Sequence, residues 1–316
     1  MTDVQAQAPA APLLAALHEV SEQADAAWKA WRRDVDIQHL TWPEMQILPL
    51  LSGPRLEFWL ADDPAAGVLL GIVRRAWSEA QVRLGVAQEI VRCMDQAGCG
   101  SVVMIGAVGA YLRCLETSAI RPVLELRVLL SRRQLAQAVC ALEGEGWQLS
   151  GELPSYSWLD TKTHVVYSRN GTRLCLHWRV LRVGVHHAAA CERAFLAHHN
   201  TVEAIRTSFR VLTPEHALLE ALAEREDTVD VLAWQADAAL ICRQTIDWKS
   251  WARLAARFQP DVFARISEMR ALGIDVPELN HSKLSGTAWT RWMAWMEDCW
   301  RAAGDWARRL SAATGE

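Results

Sequence analysis

The chain has 316 residues, a formal net charge of −4, 51% hydrophobic and 22% charged residues. That length accommodates a substantial core and more than one domain. The weakly acidic balance argues against a general binder of nucleic acid or acidic membrane, while leaving room for a local basic groove. No apolar run approaches the roughly 18 residues that span a bilayer, so no membrane partner is expected. The Ala/Pro/Gln-rich start lacks the basic and apolar regions of a signal peptide, so a cytoplasmic location is expected. The eight cysteines form no Cys-x-x-Cys pair. Their wide, irregular spacing reads as reduced thiols instead of a zinc site or a disulfide framework. Trp is abundant, with 16 against 5 Phe and 3 Tyr. Bulky core filling is the simplest reading, and an aromatic groove or partner surface is the alternative.

Residues 1–12 read as a tail, and 13–98 as a helical region. Trp28 and Trp31 lie in its early part, and Ser52-Gly-Pro54 is a breaker. Asp63-Pro64 opens a long helical stretch toward Gln96, closed by Gly98-Cys-Gly100. The pattern changes over 99–185. Ser101 to Ile105 is a short β-type run broken by Gly106, and 107–115 is a compact helix. Val123 to Leu130 alternates as a strand. Ser131 caps a helix over 132–143 that ends at Gly144 and Gly146. Asn170-Gly171 between two β-rich runs, 163–168 and 173–180, is a strong hairpin signal.

From 186 to 316 the chain reads as helix again. Thr213-Pro214 makes an N-cap with Pro at the first helical position. Further helices cover 228–242 and 247–258. The last, 287–310, gathers Trp289, Trp292 and Trp300 on a broad face widened by Trp295. It is the candidate interface for a protein or peptide partner. The predicted fold is α+β and mostly α overall: a small mixed sheet between two helical regions.

The chemistry-bearing stretches are Ser101-Val-Val-Met-Ile-Gly106-Ala, then Arg121-Pro-Val-Leu-Glu125-Leu-Arg127, then Arg173-Leu-Cys175-Leu-His177-Trp178. Their order and spacing resemble an uncharacterised bacterial nucleotidyltransferase family of the DNA-polymerase-β-like superfamily. In that family the segments carry Lys-Gly-Ala, Asp-x-Asp and Glu-x-His-Trp. Further similarity lies in Leu212-Thr-Pro-Glu-His-Ala-Leu-Leu219, in Gln235-Ala-Asp237-Ala-Ala-Leu240, and in Ile246-Asp247-Trp248 through Ala255. The resemblance covers most of residues 60–279. It implies a nucleotidyltransferase-like fold, with Mg²⁺ and a nucleoside triphosphate as cofactors of an active site. Family relatives are often found among bacterial biosynthetic genes, which implies an accessory biosynthetic role.

The departures matter chemically. Mg²⁺ prefers carboxylate oxygens, and acids at i and i+2 of a strand share a face with an acid on the neighbouring strand. Here those positions read Glu125, Arg127 and Cys175. Arg127 puts a fixed positive charge where a cation should sit, and a thiol is a soft ligand for a hard metal. Ile105 replaces the family's Lys. The expectation is therefore a degraded metal site with no cofactor. The chain would be a non-catalytic accessory or partner-binding protein.

Two alternatives assign the same residues differently. In an active enzyme, Glu125 would bind metal, Gly106 would admit phosphates to the backbone, and Arg121 or Arg127 would contact phosphate. In a nucleotide sensor, Arg127 would substitute for the cation. Cys175 reads as a small apolar sheet residue or as a thiol nucleophile aided by His177. His177-Trp178 reads as packing or as acid–base chemistry. The doublets His186-His187 and His198-His199 are weak metal candidates, and acids such as Asp160 or Glu116 could rebuild the site. No Gly-x-x-x-x-Gly-Lys loop occurs.

Overall fold

The computed structural model describes residues 11–271 except 18–20, 101, 116, 152–158, 160–161 and 224–232, together with 274, 276 and 277. Helices α1 (Ala11–Ala16), α2 (Ser21–Asp34), α3 (Trp42–Ile47) and α4 (Pro54–Leu60) form the N-terminal part. Trp28 and Trp31 fill the core with Trp59 packed against it, while Trp42 is exposed. Trp28 stacks on Trp59 with centroids 4.9 Å apart and tilts against Trp31 at 5.0 Å. The buried indole N–H groups find acceptors: Trp31 Nε1 donates to Glu44 Oε1 at 2.8 Å, and Trp59 Nε1 to Asp25 Oδ1 at 2.7 Å. This satisfies the polar edge that burial would otherwise penalise. Helix α5 (Ala66–Gln96) buries a stripe at helical spacing, from Leu69 and Val73 through Leu84 and Ala87 to Met94.

The chain then enters a sheet. Strands β1 (Val103–Ile105), β2 (Leu126–Leu129), β3 (Gln148–Leu149), β4 (His164–Arg169), β5 (Thr172–His177), β6 (His199–Ala204) and β7 (Thr207–Leu212) pair in the order β3-β4-β5-β2-β1-β7-β6. Strand β2 runs antiparallel to β1 and parallel to β5, so the sheet is mixed. Helices α6 (Gly106–Arg113) and α7 (Leu135–Gly144) connect its first strands. Ser131 accepts the Arg133 amide within a capping box at the 3₁₀ turn before α7. Asn170 (φ 50°) and Gly171 (φ 72°) make the two-residue β4–β5 turn that the Asn-Gly pair predicts.

Alternation divides the sheet into two faces. Met104, Leu126, Val128, Leu174, Leu176 and Phe209 pack with Ala80 through Met94 of α5 and with Leu135 and Leu142 of α7. On the opposite face, Val103, Ile105, Leu129 and Leu212 join a core built by the N-terminal helices together with the C-terminal ones. The latter are α8 (Val185–Ala197), α9 (Pro214–Ala223), α10 (Ala233–Ile241), α11 (Trp248–Phe258) and α12 (Val262–Ala271). Asp247 caps α11 by accepting the Lys249 and Ser250 amides, each at 3.1 Å.

The sequence reading of 186–316 as helical is corrected here. The β6–β7 hairpin lies within it, and β7 joins β1 in parallel through Met104 and Val211. Its turn carries no glycine or asparagine: Ile205 (φ 47°) and Arg206 (φ 61°) both occupy left-handed backbone. A β-branched residue there is a strained outlier. The Gln88 side chain of α5 holds the turn by donating to Ile205 O at 2.9 Å. Replacing Ile205-Arg206 by Asn-Gly is expected to raise unfolding stability by about 1–2 kcal/mol, read by urea denaturation. No gain would mean the turn is not left-handed. The Trp289, Trp292, Trp295 and Trp300 face, Asp160 and Glu116 all lie outside the described residues.

Candidate functional site

Three local features build the site. Strand β1 ends at Ile105, and Gly106 turns into α6 with φ +62°. A Cβ there would stand 2.8 Å from Arg127 Cδ, so glycine suits both the backbone and the close approach. Strand β2 then presents Arg127 opposite Ile105 on one side and Cys175 of β5 on the other. Further along β5, His177 pairs with His164 of β4.

Glu125, Arg127, Cys175 and His177 therefore gather on one face. Arg127 Nε donates to Glu125 Oε1 at 2.7 Å, and Arg173 Nε lies 3.1 Å from Glu125 Oε2. The Cys175 thiol donates to Glu125 Oε2 at 3.5 Å. The Glu125 and Arg127 side chains are mostly covered, at 19% and 17% exposure. The imidazoles of His164 and His177 stack with centroids 4.6 Å apart.

The electrostatics follow from this packing. Burial raises the Glu125 carboxyl, but the charge and hydrogen bond of Arg127, then the charge of Arg173, outweigh it. The net result lies below its ordinary value, so Glu125 is a carboxylate held between two guanidinium groups. Burial, and then the Glu125 charge, pushes the Cys175 thiol up to about 12. Cys175 stays protonated near neutral pH in this environment and supplies no thiolate nucleophile. Burial, followed by the charges of His164 and Arg127, holds His177 well below its ordinary value. His177 is a neutral ring whose Nε2 is buried without a hydrogen-bond partner.

Two assignments change. Arg121, expected to contact phosphate, is 1% exposed and sits in the core. Its Nε donates to Asp237 Oδ1 at 2.6 Å and its Nη1 to Pro122 O at 3.0 Å. An arginine buried against helix α10 cannot reach a ligand on the sheet face, so its role is structural. The Gly106 amide, expected to approach phosphates, donates instead to Glu220 Oε1 of α9 at 2.8 Å. A carboxylate of the chain itself stands at the start of α6, where the helix would favour any anion.

Glu220, Arg173 and His164 went unassigned from sequence. Only the register opposite His177 and the spacing Arg173-x-Cys175 could have pointed to the last two. Of the histidine doublets, His198 stacks on His216 at 4.7 Å, and Phe195 meets His216 edge-on at 5.2 Å. Among the described residues, no group of three or more His, Cys, Asp or Glu is placed to hold a metal ion. No described helix is long and apolar enough to cross a membrane.

A glycine corner between β1 and α6 faces Glu125 just before β2, Arg127 on β2 and Cys175 on parallel β5. The chain belongs to the uncharacterised nucleotidyltransferase family, whose model matches residues 65–266. Similar solved structures include ANT(2″)-Ia in complex with adenylyl-2″-tobramycin, at 10% identity over 57% of this chain and 98% of that one, TM-score 0.40. The solution structure of the antibiotic-resistance factor ANT(2″)-Ia is 11% identical over 60% and 98%, TM-score 0.40. An antigenic nucleotidyltransferase-like protein from Paracoccidioides brasiliensis is 12% identical over 63% and 94%, TM-score 0.35. Likeness at this level speaks to neither substrate nor mechanism. No curated protein matched the chain.

Proposed function

We propose that this chain is a nucleotidyltransferase-fold protein that has given up metal-dependent nucleotidyl transfer and serves as a non-catalytic accessory or partner-binding protein in a biosynthetic pathway. The observation that carries the first part is the Arg127–Glu125 ion pair at 2.7 Å. It places a guanidinium where the fold's second metal-binding acid would stand, and it engages the carboxylate that remains. The residues do not fit a divalent cation. Mg²⁺ requires several hard oxygen ligands, whereas on this face Glu125 is engaged by two guanidinium groups, Glu220 by the Gly106 amide, and the remaining side chain is a protonated thiol. No catalytic step through a metal is assigned to it. The accessory part rests on the family resemblance read from the sequence.

Manganese titration followed by the free-ion paramagnetic signal tests the metal reading. The wild-type chain is expected to leave the signal at its buffer amplitude. The double variant Arg127→Asp/Cys175→Asp, with three acids on adjoining strands, is expected to deplete it. One equivalent taken up by the wild type, and lost on Glu125→Gln, would overturn the reading.

A further inference from the structure

We propose that the open half of the same sheet face, over β4 and β5, binds a small hydroxyl-rich molecule carrying an oxyanion, without a metal. This rests on the reading that guanidinium groups supply the positive charge of the site. The strand register makes the face continuous: Arg127 pairs with Cys175, Cys175 with Val166, and Arg173 with Ser168. The Ser150 amide donates to Val166 O at 2.7 Å and brings Ser150 alongside. Beside the Glu125 cluster these residues line a cavity of about 390 Å³, formed by Ser150, Val166, Ser168, Gly171, Thr172 and Arg173. That volume lies in the range of small-molecule sites, roughly 300–1,000 Å³.

Arg173 joins the cavity to the Glu125 cluster. Half of its side chain is exposed, and its Nε faces Glu125. Its terminal nitrogens Nη1 and Nη2 have no protein partner among the described residues. Glu125 is shared between Arg127 and Arg173, so the three groups together carry one net positive charge. A guanidinium with two open nitrogens matches a planar carboxylate or a phosphate. The Ser150 and Ser168 side chains also have no partner among the described residues and can hydrogen-bond a polyol. Val166 gives the floor a small apolar patch. At the other end of the face, Glu220 already accepts the hydrogen bond of the Gly106 amide. An incoming anion therefore meets its open donors at Arg173, not at Gly106.

The test is calorimetric titration of the full chain in excess EDTA with ribose 5-phosphate, gluconate and ribitol. One or both anions are expected to bind, which separates a phosphate source from a carboxylate source. Ribitol, lacking the oxyanion, should bind at least about tenfold more weakly. Arg173→Ala should weaken anion binding by about tenfold or more, with its melting curve unchanged because the side chain is half exposed. Glu125→Gln, which removes the competing carboxylate, should tighten binding several-fold. Absence of heat with both anions, or binding indifferent to Arg173→Ala, overturns the inference. If the wild type also takes up no Mn²⁺, the metal-free reading of the site stands alone. Anion binding that appears only when Mg²⁺ replaces EDTA overturns both.

Discussion

Arg121→Ala is expected to lower the unfolding free energy by about 3–5 kcal/mol, because it leaves a buried carboxylate without its counter-charge. Arg121 and Asp237 are 1% and 7% exposed at the side chain, with Nε and Oδ1 2.6 Å apart. The pair ties the segment entering β2 to helix α10, across 116 positions of sequence. Removing Arg121 leaves the buried Asp237 without its hydrogen-bonded counter-charge, with only the more remote charge of Arg113 to offset it, whereas removing both charges does not. The double variant Arg121→Met/Asp237→Leu is therefore expected to recover most of the loss. Urea denaturation near neutral pH reads both. A loss below about 1 kcal/mol for Arg121→Ala would mean that Arg121 is hydrated and free to serve a ligand after all.

The second large effect is acid sensitivity. His216 is buried against Phe195 and His198, and burial, then the His198 charge, lowers it from 6.5 to about 4. His177 is lowered in the same direction. Both rings are neutral in the fold and take up a proton on unfolding. Above about pH 6.5 neither state holds that proton, so the stabilisation is fully present. As pH falls toward 4 the unfolded chain is protonated first, and stability falls with it. For His216 alone the loss is about 2–3 kcal/mol by pH 4.5. Urea denaturation at several pH values from 7 to 4.5 should show this decline, and His216→Gln should flatten it. An unchanged slope in His216→Gln would place the titration elsewhere.

How much of this was legible in the sequence depends on the range of the interaction. The Asn170-Gly171 hairpin could be read directly, because a two-residue turn with two left-handed positions asks for those residues. The Asp247 cap and the Ser131 capping box are equally local. The β6–β7 hairpin could not be read, because Ile205-Arg206 carries none of the chemistry its backbone requires. Its position is imposed by pairing with β1 and by Gln88 of α5.

The site divides in the same way. The exchange of acids for Arg127 and Cys175 is visible as letters, and the register sets those letters side by side. The partners that decide the electrostatics are remote. Asp237 claims Arg121, and Glu220 claims the Gly106 amide from 114 positions away. Short-range pattern names neither contact, since each depends on how α9 and α10 dock.

The Arg127 guanidinium is proposed to stand where a metal would sit in this nucleotidyltransferase-like fold. Calorimetric titration of the wild-type chain with ATP, once with Mg²⁺ and once with EDTA, tests it most directly. No Mg²⁺-dependent component is expected: the two titrations superimpose, whatever weak heat the arginines produce. Tight binding that appears with Mg²⁺ and vanishes in EDTA, and is lost on Glu125→Gln, would contradict it and return the chain to the metal-dependent enzymes.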